Sequence, residues 1–487
     1  MIPSFRRRLP NTGAGSGRPL PLLLAAMVLL LLVVALLTLS HPVRWATHVW
    51  AMKGGTAAQI PFLDSDLLQR ADSLTNQADE PQPGVILASN GVTRTTYLPL
   101  AVRSVLTLEE YLTLTTLSLP QSLADTTSSW CTWGGCLLGP RLYHAPLPDG
   151  RTLLGWTDSN GTGHVSVIAG ASIEHTYNYA AKSLRGLVTQ DDGGFAILLW
   201  QPSTETMWLS KRATNGSEVW TSSLNSDIAR ADFWLGGSRL SYGDGLYAAY
   251  FTVYGISGPY ATHHGDQLTY VNDGGVKQSG GWDWGCSHSM AQLVSYHPDL
   301  AEFLPVCSSD CYPQKGIIAM FSTGYNRVYA ADGNCGGLVS AQLGQIALGD
   351  GDWKVVFNAL SEPCCTGRGI AFATVDAGFD GAYTWLTNTN GSYERDPVLG
   401  RLGTELQSDR YLVGWTTTNN GAYWLAIIDG EGTFIRAPEN LAPAGVRWGN
   451  RDDSFRTRPD GTVSWVYGEP LSTELTLFQF DGTAYLP

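Results

Sequence analysis

Lysine and arginine are scarce in this chain of 487 residues. They number 30 against 43 aspartates and glutamates, for a formal net charge of −13, and six of the 30 are lysines. Residues 1–18 hold four arginines and no acidic residue, so the rest of the chain carries 26 basic against 43 acidic side chains. Binding to a nucleic acid depends on Lys and Arg that neutralise phosphates. The composition therefore predicts no nucleic-acid partner.

The common short motifs of enzymes are also missing. The sequence has no G-x-S-x-G nucleophile motif, no H-E-x-x-H zinc motif, no Walker A loop and no G-x-G-x-x-G motif that opens a helix. No reaction can be named on this basis, and whether the protein is an enzyme stays open. No cofactor is predicted.

One long apolar run is present near the N-terminus. Residues 19–39 contain no charged side chain, and about 20 helical residues cross a hydrocarbon core. Because the four arginines precede the run, we expect a cytoplasmic tail over 1–18, a transmembrane signal-anchor over 19–40 and an extracytoplasmic location for the rest, at the cell membrane. Trp45 and Trp50 fit an interfacial aromatic belt. A cleaved signal peptide is the alternative, but its apolar core would be shorter and would end in small residues.

Two patterns follow the apolar run. Residues 41–83 read as a stalk or linker with one short helix, which the prolines of 79–84 would end. From residue 84 onward, Asn-Gly and Asp-Gly dipeptides recur between short runs rich in Val, Ile, Tyr, Trp, Phe and Thr. These dipeptides favour hairpin turns, and the runs favour strands. Residues 84–487 are therefore predicted to form an all-β ectodomain.

The strand runs recur as a loose repeat of about 40–55 residues, the period of a four-stranded propeller blade. Examples are residues 149–170, 192–220, 408–435 and 459–482. In this pattern the chain resembles the β-propeller superfamily, although it has neither a WD dipeptide nor a kelch signature. The resemblance implies about seven blades, with six or eight as alternatives. A pair of β-sandwiches is the competing architecture.

Propellers are often closed by an early strand that completes the last blade. Two strand-like runs early in the ectodomain, 85–89 and 95–101, are the candidates. We expect one of them to pair with the C-terminal run LTLFQF.

Cysteine occurs eight times, and an even number outside the cytoplasm favours disulfides over a metal site. Cys131 with Cys136, and Cys307 with Cys311, are close enough in sequence to close small loops. Adjacent Cys364 and Cys365 should have separate partners, and the pairing of the set stays open. The disulfide candidates are Cys131, Cys136, Cys286, Cys307, Cys311, Cys335, Cys364 and Cys365.

The densest group of polar and aromatic residues lies in 262–297, which holds four of the nine histidines. If the two loops of this window adjoin, their His and Asp side chains would suit a ligand, a metal or acid–base chemistry. A polar loop with core tryptophans is the alternative. Alternation along 282–288 would place Trp282, Trp284, Cys286 and His288 on one face and Asp283 and Ser287 on the other. The candidate ligand-binding residues are His263, His264, Asp266, Trp282, Asp283, Trp284 and His288.

Calcium is a further candidate ligand. Residues 158–163, 350–353 and 376–381 place several aspartates on turns, and carboxylate oxygens are the ligands that Ca²⁺ prefers. Aspartate at a turn also hydrogen-bonds its own backbone, which is the alternative explanation.

Two functional hypotheses follow. The first is a membrane-anchored extracytoplasmic propeller that binds a protein or a glycan, or serves as a subunit of an envelope complex. The second is a hydrolase or lyase acting on a polysaccharide, with Asp266, His264 and His288 as candidate acid–base groups.

Overall fold

The structure is a computed structural model that describes residues 107–125 and 142–487. Within the second range it leaves gaps at 234–235, 289–290, 322–323, 332–334, 337–340, 361–366, 377–381, 389–392, 419–420 and 450–454. The chain divides into two units, Met1–Ala101 and Val102–Pro487, and every described residue belongs to the second. The predicted tail, anchor and stalk lie outside the described residues. Within the described ranges, no helix is long and apolar enough to cross a membrane.

The described residues form seven antiparallel sheets, six of four strands and one of five. The strands of the first three blades are β2 (Tyr143–Pro146), β3 (Thr152–Thr157), β4 (Gly163–Ala169) and β5 (Ser172–Tyr179) in blade 1; β6 (Ser183–Thr189), β7 (Phe195–Gln201), β8 (Thr206–Arg212) and β9 (Glu218–Ser223) in blade 2; and β10 (Ala229–Ala231), β11 (Ser238–Gly243), β12 (Leu246–Gly255), β13 (His264–Asn272) and β14 (Lys277–Trp282) in blade 3.

The other four blades continue the same order along the chain. Their strands are β15 (Gln292–His297), β16 (Glu302–Ser309), β17 (Gly316–Phe321) and β18 (Gly324–Ala330) in blade 4; β19 (Ala341–Leu348), β20 (Trp353–Leu360), β21 (Arg368–Val375) and β22 (Thr384–Trp385) in blade 5; β23 (Glu394–Arg401), β24 (Arg410–Thr417), β25 (Tyr423–Asp429) and β26 (Phe434–Asn440) in blade 6; and β27 (Arg456–Thr457), β28 (Val463–Tyr467), β29 (Glu474–Phe480) and β1 (Leu112–Ser118) in blade 7.

The innermost strands of the blades contact one another in a closed ring, in the order β2, β6, β11, β15, β19, β23, β27 and back to β2. In blade 3, β10 and β11 both pair with the same edge of β12 and are counted together as the first strand. These seven strands therefore surround the central channel, and the fold is a seven-bladed β-propeller. The propeller resemblance and the count of about seven blades are confirmed, and the alternative of two β-sandwiches is wrong.

Hydrophobic packing follows the same ring. The described residues form seven apolar clusters, and each cluster joins one pair of neighbouring blades. Trp353 fills the layer between blades 4 and 5. Trp465 stacks on Phe478, with ring centroids 5.0 Å apart, in the layer between blades 6 and 7. Since the middle strands of each sheet are buried on both faces, several of them are nearly continuous apolar runs, such as β7, β12 and β20.

Ring closure uses a different strand from the one expected. β1 pairs antiparallel with β29, from Leu112 opposite Phe480 to Ser118 opposite Glu474. The other edge of β29 is occupied by β28. The expectation that 85–89 or 95–101 would pair with this C-terminal run is therefore wrong, because a strand has only two edges. Both segments lie outside the described residues.

The turn dipeptides act as the sequence indicated. Asp149 and Gly150 connect β2 to β3, and Gly150 has φ 87°. This left-handed conformation carries little cost for glycine because it has no Cβ. The Asp149 carboxylate accepts a hydrogen bond from the Arg151 amide at 3.1 Å and so stabilises the turn locally.

Candidate binding surface between blades 3 and 4

Consecutive strands of a blade are antiparallel, so the connections alternate between the two ends of the propeller. Connections from the first to the second strand and from the third to the fourth lie on one end, here called the turn face. Connections from the second to the third strand and from one blade to the next lie on the other end, the loop face. Three segments meet on the loop face: 256–263, 283–288 and 310–315.

Three histidines come together on these segments. The ring centroid of His288 lies 6.2 Å from that of His263 and 6.3 Å from that of His264. The backbone amide of His288 donates to the carbonyl oxygen of His264 at 3.0 Å, which joins the two segments directly. The two loops of the histidine-rich window therefore adjoin. His297, the fourth histidine of that window, is instead buried, and its Nε2 lies 3.0 Å from the carbonyl oxygen of Gly349.

Asp310 is the partner of His288. Its Oδ2 lies 3.1 Å from His288 Nδ1, and its Oδ1 accepts a hydrogen bond from Ser287 Oγ at 2.5 Å. Asp310 is buried, whereas the His288 side chain keeps 39% of its exposure. The hydrogen bond to Asp310 raises the pKa of His288, against a smaller opposing effect of burial. Sequence reasoning missed this residue, because nothing in the CSSDC segment connects it to a histidine 22 positions away.

His264 has the opposite environment. It is the first residue of β13, and its ring lies 4.9 Å from that of Tyr254. Burial lowers the pKa of His264, and the nearby His288 and His263 lower it further while Asp232 opposes the shift. Two neighbouring histidines therefore have pKa values shifted in opposite directions, an arrangement that can separate acid and base roles.

Asp266 lies two residues further along β13 and is fully buried. Its carboxylate accepts hydrogen bonds from the Tyr250 hydroxyl at 2.8 Å, the Trp282 indole at 3.0 Å and the Cys286 amide at 3.0 Å. A buried carboxylate with three donors is satisfied by the protein itself. Asp266 thus holds the segment 282–286 against blade 3 and offers no carboxylate to a substrate.

The same carboxylate belongs to the one metal-like cluster in the described part of the chain. Ligand atoms of Asp266, Cys286 and Cys307 all lie within 4.8 Å of one another. The two sulfur atoms are joined in a disulfide bond, and metal ligation requires thiolates. The cluster is therefore structural.

The predicted alternation along 282–288 is wrong. β14 ends at Trp282, and the residues after it form turns. Asp283 is exposed while Ser287 is buried, so these two residues do not share an environment. His288 has φ 42°, a left-handed conformation that no strand contains.

The two tryptophans consequently separate. The Trp282 ring lies edge-on to Tyr250 and lines a groove of about 250 Å³ between blades 3 and 4. Trp284 packs over Gly265, where any side chain would collide with its ring. On the loop face, Trp284 stacks on Tyr260 with centroids 4.3 Å apart and planes 7° apart, and Tyr312 lies 5.9 Å away. Tyr312 is 50% exposed, so this aromatic group is open to solvent beside the histidines.

Two disulfides fix the same loops. Cys286 pairs with Cys307, and Cys311 pairs with Cys335. The expectation that Cys307 and Cys311 close a small loop with each other is therefore wrong, although both are oxidised. The remaining candidates, Cys131, Cys136, Cys364 and Cys365, lie outside the described residues.

The acidic turn at 158–163 is the first of the three weighed for calcium. Asp158 is buried, and its Oδ1 accepts the amides of Asn160 and Thr162 at 2.8 and 2.9 Å. Its Oδ2 lies 3.1 Å from His164 Nε2. The Asp158 carboxylate therefore stabilises its own turn. Calcium elsewhere in the chain stays a prediction.

The opposite pKa shifts of His264 and His288 predict opposite effects of pH on the free energy of unfolding. The raised pKa of His288 means that its ion pair with Asp310 contributes fully below the unfolded value of about 6.5 and is lost as pH rises through the folded value. The lowered pKa of His264 means that stability falls as pH drops below about 6.5, because the unfolded chain binds a proton that the folded chain does not. Urea midpoints measured from about pH 5 to pH 8.5 should show both slopes. His288→Gln should remove the slope above about pH 6.5 and weaken the slope below it, because His288 also helps to lower the pKa of His264; parallel profiles for the variant and the parent would contradict the assignment.

The chain matches no protein-family model and no curated protein. Among solved structures it is similar to a protein of unknown function from Bacteroides caccae, at 11% identity and a TM-score of 0.32. That similarity covers 62% of this chain and 82% of the other.

Proposed function

We propose that this protein is a membrane-anchored, extracytoplasmic binding module that recognises a glycan on the loop face of blades 3 and 4. The observation that carries the proposal is the solvent-open group of Tyr260, Trp284 and Tyr312 next to His263 and His288. Aromatic rings pack against the apolar faces of sugars, and histidines supply hydrogen bonds to hydroxyl groups. The anchor is inferred from residues 19–40 of the sequence.

Rigidity supports a binding role. The loops that carry the aromatic group are joined by two disulfides, by the three hydrogen bonds to Asp266 and by the pair of His288 with Asp310. A surface that is already ordered loses less conformational entropy when it binds. Loops positioned by a rigid scaffold are common binding sites.

These contacts favour a different reaction for the enzyme alternative. Glycoside hydrolysis uses a pair of carboxylates, and Asp266 is fully engaged. His264 and His288, with their opposite pKa shifts, would instead suit a lyase that abstracts a proton with one group and donates one with the other. This is the second candidate function.

Trp284→Ala is the variant that tests glycan binding. Loss of a stacking surface should weaken glycan binding by at least about tenfold, or 1.4 kcal/mol. The full-length protein in detergent, its Trp284→Ala variant and a Trp208→Ala control would be compared on an array of polysaccharide fragments. Trp208 is also partly buried but lies on β8 of blade 2, outside the surface formed by blades 3 and 4.

The outcomes separate the candidates. Glycan binding that is lost in Trp284→Ala and kept in Trp208→Ala supports the proposal. No glycan binding, together with a protein partner captured by the parent and lost in Trp284→Ala, would replace the glycan with a polypeptide ligand. Steady release of unsaturated oligosaccharides that His288→Gln abolishes would establish the lyase instead.

A further inference from the structure

A cavity lies at the turn face of the propeller, on the axis of the ring of blades. It has a volume of about 420 Å³ and is lined by the inner strands or adjoining turns of blades 1, 4, 5, 6 and 7. Pro146 of blade 1 and Ser295 of blade 4 stand among the lining residues, so the cavity spans the central channel. Leu348, Arg401 and Arg458 lie where their inner strands end, which places the cavity toward the turn face.

Three arginines line this cavity: Arg401, Arg456 and Arg458. Arg458 has a structural role, since its Nη1 donates to Thr152 Oγ1 at 2.9 Å and its Nη2 donates to the Gly150 carbonyl oxygen at 2.6 Å. These bonds join blade 7 to blade 1 across the closure of the ring.

Arg401 is different. It is the last residue of β23 and is only 9% exposed. Its Nη2 donates to the Thr404 carbonyl oxygen at 2.9 Å. In the part of the chain that the structure describes, its buried Nε and Nη1 have no hydrogen-bond partner.

No carboxylate of the described residues lies within ion-pair distance of Arg401. Glu405 and Asp299 act on it only at longer range, and burial is the largest influence, lowering the pKa of Arg401. An arginine stays protonated even so. A buried charge with unmade hydrogen bonds destabilises the folded state unless water or a ligand supplies the missing acceptor.

The remaining walls are partly apolar. Pro146, Ile346 and Leu348 line the same cavity and keep part of their surface exposed. Inside the channel, Gln345 Nε2 donates to the Phe455 carbonyl oxygen at 3.2 Å, connecting blades 5 and 7. The cavity therefore combines a guanidinium that needs an acceptor with surface that favours a hydrocarbon group.

We propose that the central cavity binds a small organic anion whose carboxylate pairs with the free edge of Arg401 and whose apolar body packs against Pro146, Ile346 and Leu348. Nη2 has a second hydrogen besides the one that it donates to Thr404, so Nη2 together with either Nε or Nη1 presents two parallel N–H groups to the two oxygens of a carboxylate. This site is independent of the loop-face surface, since it lies at the other end of the strands.

Thermal unfolding and calorimetry of the full-length protein test the site. The probes are hexanoate and benzoate, with 1-hexanol as the uncharged analogue and inorganic phosphate as the anion without an apolar body. At saturating probe, the carboxylates should raise the unfolding temperature by about 2 °C or more. Hexanol and phosphate should raise it by less than half as much.

Arg401→Gln is the decisive variant. Because it removes an unpaired buried charge, it should unfold at a higher temperature than the parent without any probe, and it should lose the response to carboxylates. Arg212→Gln is the matched control. Arg212 is also mostly buried, but it is paired with Glu218 on the outer strands of blade 2, and its variant should keep the response.

Arg401→Lys covers the case in which Arg401→Gln does not fold. It keeps the charge but not the two-pronged geometry, so carboxylate affinity should fall by about tenfold. A lower unfolding temperature for Arg401→Gln with an unchanged carboxylate response would overturn the proposal. So would equal responses to phosphate and hexanoate, or no response to any probe.

Discussion

Asp266→Ala is expected to lower the free energy of unfolding by about 4 kcal/mol, because three buried donors at about 1–3 kcal/mol each lose their acceptor. The donors are the Tyr250 hydroxyl, the Trp282 indole and the Cys286 amide. Equilibrium urea unfolding of the parent and the variant provides the measurement. Asp266→Asn keeps one acceptor oxygen and should fall between them.

Asp283→Ala is the matched control for that experiment. Asp283 belongs to the same sequence window, but it is exposed, so its replacement should change the free energy of unfolding by no more than about 0.5 kcal/mol. If Asp266→Ala were as stable as Asp283→Ala, the structural role of Asp266 would be wrong, and a ligand-binding role would become the better explanation.

Replacing Cys286 and Cys307 together with alanine is expected to cost roughly 3 kcal/mol of stability. The sequence separation of 21 residues sets the entropy that the disulfide removes from the unfolded chain. Both residues are fully buried between blades 3 and 4, so lost packing adds to that cost. Urea unfolding without reductant measures the effect, and reduction of the parent should cost more than this variant because it also breaks Cys311–Cys335.

The Cys311–Cys335 pair is the natural comparison, with a separation of 24 residues and with Cys335 exposed. Its double alanine variant should lose a similar entropic contribution and less packing. Mass spectrometry of the native protein without reduction should show both pairs. Eight free thiols would contradict the pairing and the expected extracytoplasmic location together.

The repeat and its all-β character could be predicted from the sequence because they depend on local chemistry. Asp-Gly and Asn-Gly turns and β-branched or aromatic runs encode strand and turn within a few residues. Their spacing then predicted about seven blades, with six or eight as alternatives. The composition likewise predicts no nucleic-acid partner, because Lys and Arg, which such binding requires, are outnumbered by Asp and Glu.

Long-range partners could not be predicted in this way. The sequence of β1, the strand that closes the ring, favours a strand no more than the sequences of 85–89 and 95–101 do. Which of the three pairs with β29 depends on long-range register. Cys307 lies four residues from Cys311 and yet pairs with Cys286. Cys307 is buried on β16 between blades 3 and 4, whereas Cys311 lies beyond the end of that strand on the loop face, so closeness in sequence does not decide which sulfurs meet.

The candidate site also separates what the sequence determines from what depends on the tertiary structure. Sequence alone determined that histidines, tryptophans and aspartates are concentrated in 262–297. Only the tertiary structure decided that Asp266 is a buried acceptor with three donors, and that Asp310, outside this window, is the partner of His288. The physical reason is that a carboxylate's role depends on its burial and on the donors around it, and both arise when segments distant in sequence pack together.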